Sequence, residues 1–171
     1  RQCVQAALEH RQPERIPYHL EFTPQARRQM AQYTGDPDFE RHLGCHLVTT
    51  KVLAPGFPRE VEPGCFEDEF GVVWDRRFDQ SLGIPMPILP EPDLTGCRFP
   101  DPHDPGRYTH LAPWSHRHAS LFRVVKISHA LFERAWSMRG YQQFMTDLLL
   151  YPDFVDELFG RITDYNMALL D

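Results

Sequence analysis

Phe122-Arg123-Val124-Val125-Lys126-Ile127 is the stretch whose reading decides the fold. Compact and β-branched, it is the clearest strand in the chain. Helical periodicity takes over directly after it, with a new helix near His129. Phe132 and Trp136 fall four apart, Gly140 interrupts, and residues 141–150 resume the period with Phe144, Leu148 and Met145, Leu149 as inward pairs. Pro152 opens a final helix in which Phe154, Leu158, Ile162, Tyr165 and Leu169 make one apolar stripe. Such a stripe is core packing and carries no chemistry.

Working back toward the N-terminus, residues 3–10 read as a short helix with Val4, Ala7 and Leu8 on one face. Pro13 and Pro17 then forbid helix, and residues 18–22 read as a first strand. Thr23 and Pro24 supply an N-cap and a first-turn proline for a helix that runs to Gly35. A second helix is expected from Asp36 as cap and Pro37 as first residue, with Gly44 as its stop. Residues 46–53 read as another strand, ended by Pro55-Gly56. Residues 67–77 read as a hairpin or two short strands around Gly71, and residues 83–106 carry so many prolines that they must be extended or irregular. A short helix is expected over residues 114–120.

Strands followed by helices predict an α/β fold. We expect about three β/α units of a partial (β/α)8 TIM barrel, because a closed one typically needs about 250 residues. Residues 1–171 then form part of a single barrel domain, with residues 55–112 as an irregular hairpin and proline-rich insertion or lid. The chain opens without Met, and residues 162–171 still read as amphipathic helix with no Gly or Pro stop, so both ends are expected to continue in a longer protein.

A formal charge of -6 and a pI near 5.8 speak against a nucleic-acid partner, which needs a concentrated basic surface. No apolar run long enough to span a bilayer is present. Cys3, Cys45, Cys65 and Cys97 form no C-x-x-C pair and no signal peptide precedes them, which leads us to expect free thiols and a cytoplasmic location.

His19 and Glu21 share one face of the first expected strand, and such barrels place their chemistry at the C-terminal ends of strands. They are therefore expected to bind substrate, against the plainer reading of Glu21 as a salt bridge to a helix arginine. His129, Glu133, Trp136 and Arg139 follow the deciding strand and form a second expected substrate-binding group, with Trp136 as pocket wall. The plainer reading pairs Glu133 with Arg134 or Arg139 in solvent. His42, Cys45 and His46, even with His116 and His118 added, lack recognised zinc spacing, and no metal site is expected in this chain. Asp68 and Glu69 read either as paired carboxylates for proton transfer or as a charged hairpin edge. Cys65 and Cys97 have no paired His nearby in sequence.

Four segments together resemble the uroporphyrinogen decarboxylase superfamily. They are Ala6-Ala7-Leu8-Glu9-His10-Arg11-Gln12-Pro13-Glu14-Arg15-Ile16-Pro17, Asp68-Glu69-Phe70-Gly71-Val72-Val73-Trp74, the Phe99-Pro100-Asp101-Pro102 turn, and Leu131-Phe132-Glu133-Arg134-Ala135-Trp136-Ser137-Met138-Arg139-Gly140. The true decarboxylases follow their first strand with Met-Arg-Gln-Ala-Gly-Arg, whose arginines hold substrate carboxylates. Here that place reads Glu21-Phe22-Thr23-Pro24-Gln25-Ala26-Arg27-Arg28, and Trp136 stands where the family carries a substrate-proximal tyrosine. An acidic residue there would repel a carboxylate-rich tetrapyrrole.

The second and fourth segments look more like the methyltransferase-type branch. That resemblance implies a parent enzyme that moves a methyl group between a corrinoid protein and a thiol, with zinc lowering the thiol pKa. The family's zinc ligands, a His-x-Cys and a later Cys, belong to the second half of the barrel. No cofactor is accordingly expected in this chain, while zinc and a corrinoid partner are implied for the full-length protein. Two alternatives stand beside it: a uroporphyrinogen decarboxylase using Arg15 or Arg27, and a non-catalytic half barrel that self-associates through its open edge.

Overall fold

Local chemistry sets most of the element boundaries, and a computed structural model, which describes all 171 residues, gives them in chain order. They are helix α1 (Gln2–Leu8), helix α2 (Pro24–Thr34), a 3-10 turn (Phe39–His42), strands β1 (Leu47–Lys51), β2 (Arg59–Glu62), β3 (Cys65–Glu67), β4 (Val73–Asp75) and β5 (Ile84–Met86), a second 3-10 turn (Pro105–Arg107), helix α3 (Leu111–Arg117), strand β6 (Phe122–Lys126), and helices α4 (Phe132–Arg139), α5 (Tyr141–Leu150) and α6 (Pro152–Ala168). The chain is mixed α/β and divides into two compact units. No helix is long and apolar enough to cross a membrane.

The first unit comprises Arg1–Val52 and Tyr108–Lys126. Its sheet is the parallel pair β1–β6, in register from Leu47 opposite Phe122 to Lys51 opposite Lys126. Thr23 caps α2 as its side chain predicts, accepting the Ala26 amide at 3.3 Å, and Gly35 ends the helix at φ 68°. Three expectations are corrected here. Residues 18–22 are extended but form no strand ladder; the Tyr18 carbonyl accepts one bond, from the His46 amide at 3.0 Å. The helix expected from Asp36 and Pro37 shrinks to a single 3-10 turn: the Asp36 carboxylate caps the Asp38 amide at 2.8 Å, but the amides of Phe39, Arg41 and Leu43 bond the carbonyls three residues back, and Gly44 at φ 67° ends the segment. In α1 the buried residues are Val4 and Ala6, while Leu8 is exposed. Two strands do not close a barrel, and the expected third strand is missing from the ladder.

The second unit comprises Leu53–Arg107 and Ile127–Asp171. Its sheet is antiparallel in the order β2-β3-β4-β5. The hairpin expected around Gly71 is β3–β4, with Phe66 opposite Trp74, and Gly71 sits at φ 88° where an L side chain would be strained. Within the proline-rich stretch, Ile84–Met86 adds an edge strand with Pro85 opposite Trp74, a position where a missing N–H is tolerated.

α4, α5 and α6 pack with this sheet around Val72, Trp74, Ala135, Met138, Phe144, Leu158 and Ile162. All five members of the α6 stripe are buried. In α5 only the Phe144 row faces inward: Phe144 is fully buried and Leu148 packs on the core, whereas Met145 is exposed and Leu149 is 83% exposed, a correction to the second inward pair. One helix ten residues long can present only one face to a core on one side.

Candidate functional site

Glu21, an exposed acid of the first unit, gathers polar contacts from three different residues. Lys126 ends β6 and Thr49 lies two residues before the end of β1, on the same face of the parallel pair. Thr49 Oγ1 donates to Glu21 Oε1 at 3.1 Å, and Lys126 Nζ donates to the same oxygen. His19 Nε2 lies 3.2 Å from it. Both expected residues on this segment therefore meet one face of the parallel pair, beside the middle of β1 and the C-terminal end of β6.

The electrostatics follow from that geometry. The Lys126 bond, offset in part by burial and reinforced by His19 and Thr49, holds the Glu21 carboxyl at about 2, far below its ordinary range. Glu21 is thus a fixed anion while its side chain remains 54% exposed, and Lys126 is 34% exposed. A carboxylate and an ammonium lie side by side within reach of a ligand. His19 Nδ1 is shielded and bonded to no protein group.

Lys126 and Thr49 were not among the residues singled out from the sequence. For Lys126 the signal was present: it is the only charged residue at the C-terminal end of the deciding strand, where a parallel α/β fold places functional groups. The plainer reading of Glu21 named a helix arginine as partner; the partner is a strand lysine instead.

The second expected group does not assemble into one site. His129 adopts φ 52° and packs against Trp74 with ring centroids 4.9 Å apart and planes tilted by 40°, and Trp136 meets the same indole edge-on at 6.4 Å. Glu133 is exposed and points its charge to solvent, and neither Arg134 nor Arg139 is its partner. Arg139 is buried. Its Nε donates to Asp147 at 2.6 Å and its Nη1 to the Leu89 and Pro90 carbonyls at 3.1 and 2.6 Å, so it clamps the proline-rich segment rather than facing a ligand.

Asp68 and Glu69 are neither an exposed edge nor a proton-transfer pair. Asp68 Oδ1 accepts the Phe70 and Val72 amides at 3.0 and 3.1 Å, and Oδ2 accepts Trp74 Nε1 at 3.0 Å and Arg134 Nη1 at 2.6 Å. Glu69 Oε2 pairs at 2.6 Å with Arg107, whose side chain is 0% exposed. These acids fasten the second unit together.

No three His, Cys, Asp or Glu side chains come together to hold a metal ion. His42 lies 3.2 Å from Asp36, and His46 Nδ1 accepts the Tyr18 amide at 3.4 Å with its ring edge-on to that tyrosine. In the second unit, a half-open cleft of about 510 Å3 is lined by Phe70, Ile88, Leu89, Cys97 and Arg98 among others, and includes none of the expected site residues. Burial pushes the Cys97 thiol up, away from the thiolate that a reactive cysteine needs. No protein-family model, curated protein or solved structure matches this chain.

Proposed function

We propose that this chain is the N-terminal part of a uroporphyrinogen-decarboxylase-like barrel enzyme that passes a methyl group between a corrinoid protein and a small thiol. One observation supports it most: Glu21, Lys126, Thr49 and His19 converge on one face of the parallel pair β1–β6, with Lys126 at the C-terminal end of β6, the end at which β/α barrels carry out their reactions. β1 and β6 would be neighbouring strands of that partial barrel. On this reading Lys126 and Glu21 bind the polar end of the thiol substrate, the ammonium facing its anionic group and the carboxylate its donors. Zinc ligands are not brought together by these residues, so no step is assigned to a metal held by this chain.

The decarboxylase alternative has less support. It requires free arginines for substrate carboxylates, and of the two named for it Arg27 is engaged with Glu40 at 3.0 Å while Arg15 is exposed. Self-association of a non-catalytic half barrel has one observation in its favour, since a two-stranded sheet leaves an edge of β1 and of β6 outside the ladder.

The test is thiol-dependent demethylation of methylcobalamin by the protein carrying this chain, with and without added zinc. Thiol-dependent methyl transfer is the expected result. Turnover of uroporphyrinogen without methyl transfer would transfer the assignment to the decarboxylase, and a concentration-dependent dimer without either activity would favour the interaction module.

A further inference from the structure

We propose that the solvent face of α5 is the contact surface of a homodimer, in which α5 of one copy packs across α5 of a second copy about a two-fold axis. The inference concerns the second unit alone and depends on neither the methyl-transfer reading nor the open edges of β1 and β6. Surface helices ordinarily carry charged side chains on the face turned away from the core. α5 has one charged residue, Asp147, and it is buried against Arg139 at 2.6 Å. What stands in solvent is uncharged and largely apolar: Tyr141 is 58% exposed and Leu150 65%, with Met145 and Leu149 beside them.

The spacing gives this face a shape. Tyr141, Met145 and Leu149 stand four apart and form one ridge, Gln142, Thr146 and Leu150 form a second, and together they bound an open groove of about 470 Å3. Such a groove accepts the i, i+4 ridge of another helix at a crossing angle of about −50°. Offering both a ridge and a groove, the face is complementary to itself. Tyr141 is held ready for the contact, its ring edge-on to Trp136 at 5.9 Å and to Phe132 at 6.5 Å. Tyrosines so placed are common anchors of interfaces.

Charge and area select the occupant. With a formal charge of -6 on each chain, two copies repel, and they approach at least cost where neither presents a charge. Tyr141, Met145, Leu149 and Leu150, at about 200 Å2 for side chains of this size, expose on the order of 500 Å2. Two copies then bury on the order of 1,000 Å2, near the lower bound of a specific interface, so the dimer is reversible and forms from copies already folded.

Sedimentation velocity of the full 171-residue chain over a range of concentrations tests it. A monomer–dimer equilibrium is expected. Met145 is the middle residue of its ridge, closest to the two-fold axis where two α5 helices cross at their centres. Met145→Lys sets like charges against each other there and is expected to weaken association about 100-fold. The substitution lowers the net negative charge, so general electrostatics alone would strengthen association instead. Met145→Glu is expected to weaken it as well, and an equimolar mixture of the two variants to recover it, a result that only a self-pairing face gives. Circular dichroism well below the association midpoint checks that each variant is folded, and Leu149→Lys replaces one that is not. A chain that stays monomeric at every concentration overturns the proposal. So does a dimer that survives these substitutions, which would assign the contact to the sheet edges, and so does a variant mixture that stays monomeric, which would give this face to a different partner.

Discussion

The two units of this protein differ in that buried ion pairs occur only in the second, which also carries exposed ones such as Arg59–Glu67 and Arg161–Glu157. In the second unit Asp68–Arg134, Glu69–Arg107 and Arg139–Asp147 are ion pairs taken largely or wholly out of water, each reinforced by backbone or indole hydrogen bonds. Arg134 also lies 4.0 Å over the Phe70 ring. In the first unit the pairs are open to solvent, as at Lys126–Glu21 and Arg27–Glu40, and only Val4, Ala6, Phe39 and Val52 form its buried apolar set. The difference follows from solvation. An ion pair stripped of water must be satisfied on every lone pair and then specifies one arrangement, whereas a wet pair can exchange its partner for a ligand. The second unit is accordingly the more firmly specified, while the pairs of the first stay in contact with water.

The comparison breaks most readily at Asp68. Asp68→Ala leaves the Arg134 charge without its partner and removes the acceptor of two amides and the Trp74 indole. A loss of about 4 kcal/mol in denaturant unfolding is expected, the size seen when one member of a buried pair is removed. A loss as small as that of a surface pair would mean that this network is not what specifies the unit.

Apolar packing comes next. Leu158 is fully buried on the inward stripe of α6, and Leu158→Ala should cost about 3 kcal/mol by the same measurement. Leu149→Ala, on the exposed side of α5, should stay within about 0.5 kcal/mol. Equal losses at the two positions would contradict the assignment of faces.

The smallest stability effect belongs to the first unit. Lys126→Met should change folding stability by less than about 1 kcal/mol, since the pair is half in solvent. It should nevertheless move the Glu21 titration, followed by carboxyl 13C NMR, from about 2 back toward the ordinary carboxylate range. The sign is that of a depressed acid. Its stabilisation is complete above the unfolded carboxyl pKa and disappears as the pH falls through about 2, so wild type and variant should converge in strong acid. A Glu21 midpoint that does not move would remove Lys126 from the site.

Several elements were legible without any structure because their signals are local. The Thr23-Pro24 start, the Gly35 stop, the β3–β4 hairpin at Gly71 and the α6 stripe each depend on residues within a few positions of one another. His19 and Glu21 were legible as neighbours for the same reason, standing two residues apart in the chain. Where the reading failed, the deciding partner was distant. Asp68 looked like an exposed edge because its partner Arg134 is 66 residues away, and Lys126 went unremarked because the acid it serves is 105 residues away. Residues 18–22 had a strand's alternation but found no neighbour for a ladder, and pairing rather than propensity makes a strand.

By itself, then, the sequence determined where α2 begins and ends, which face of α6 is apolar, and that His19 and Glu21 stand together, because capping, periodicity and short-range spacing act through neighbouring residues. Only the tertiary structure decided which acids are buried and paired, that Lys126 and Thr49 complete the Glu21 cluster, and that the parallel sheet is a two-stranded pair. Those outcomes depend on desolvation and on hydrogen bonds between residues far apart in the chain, and such free energies have no value until the fold brings the partners into contact.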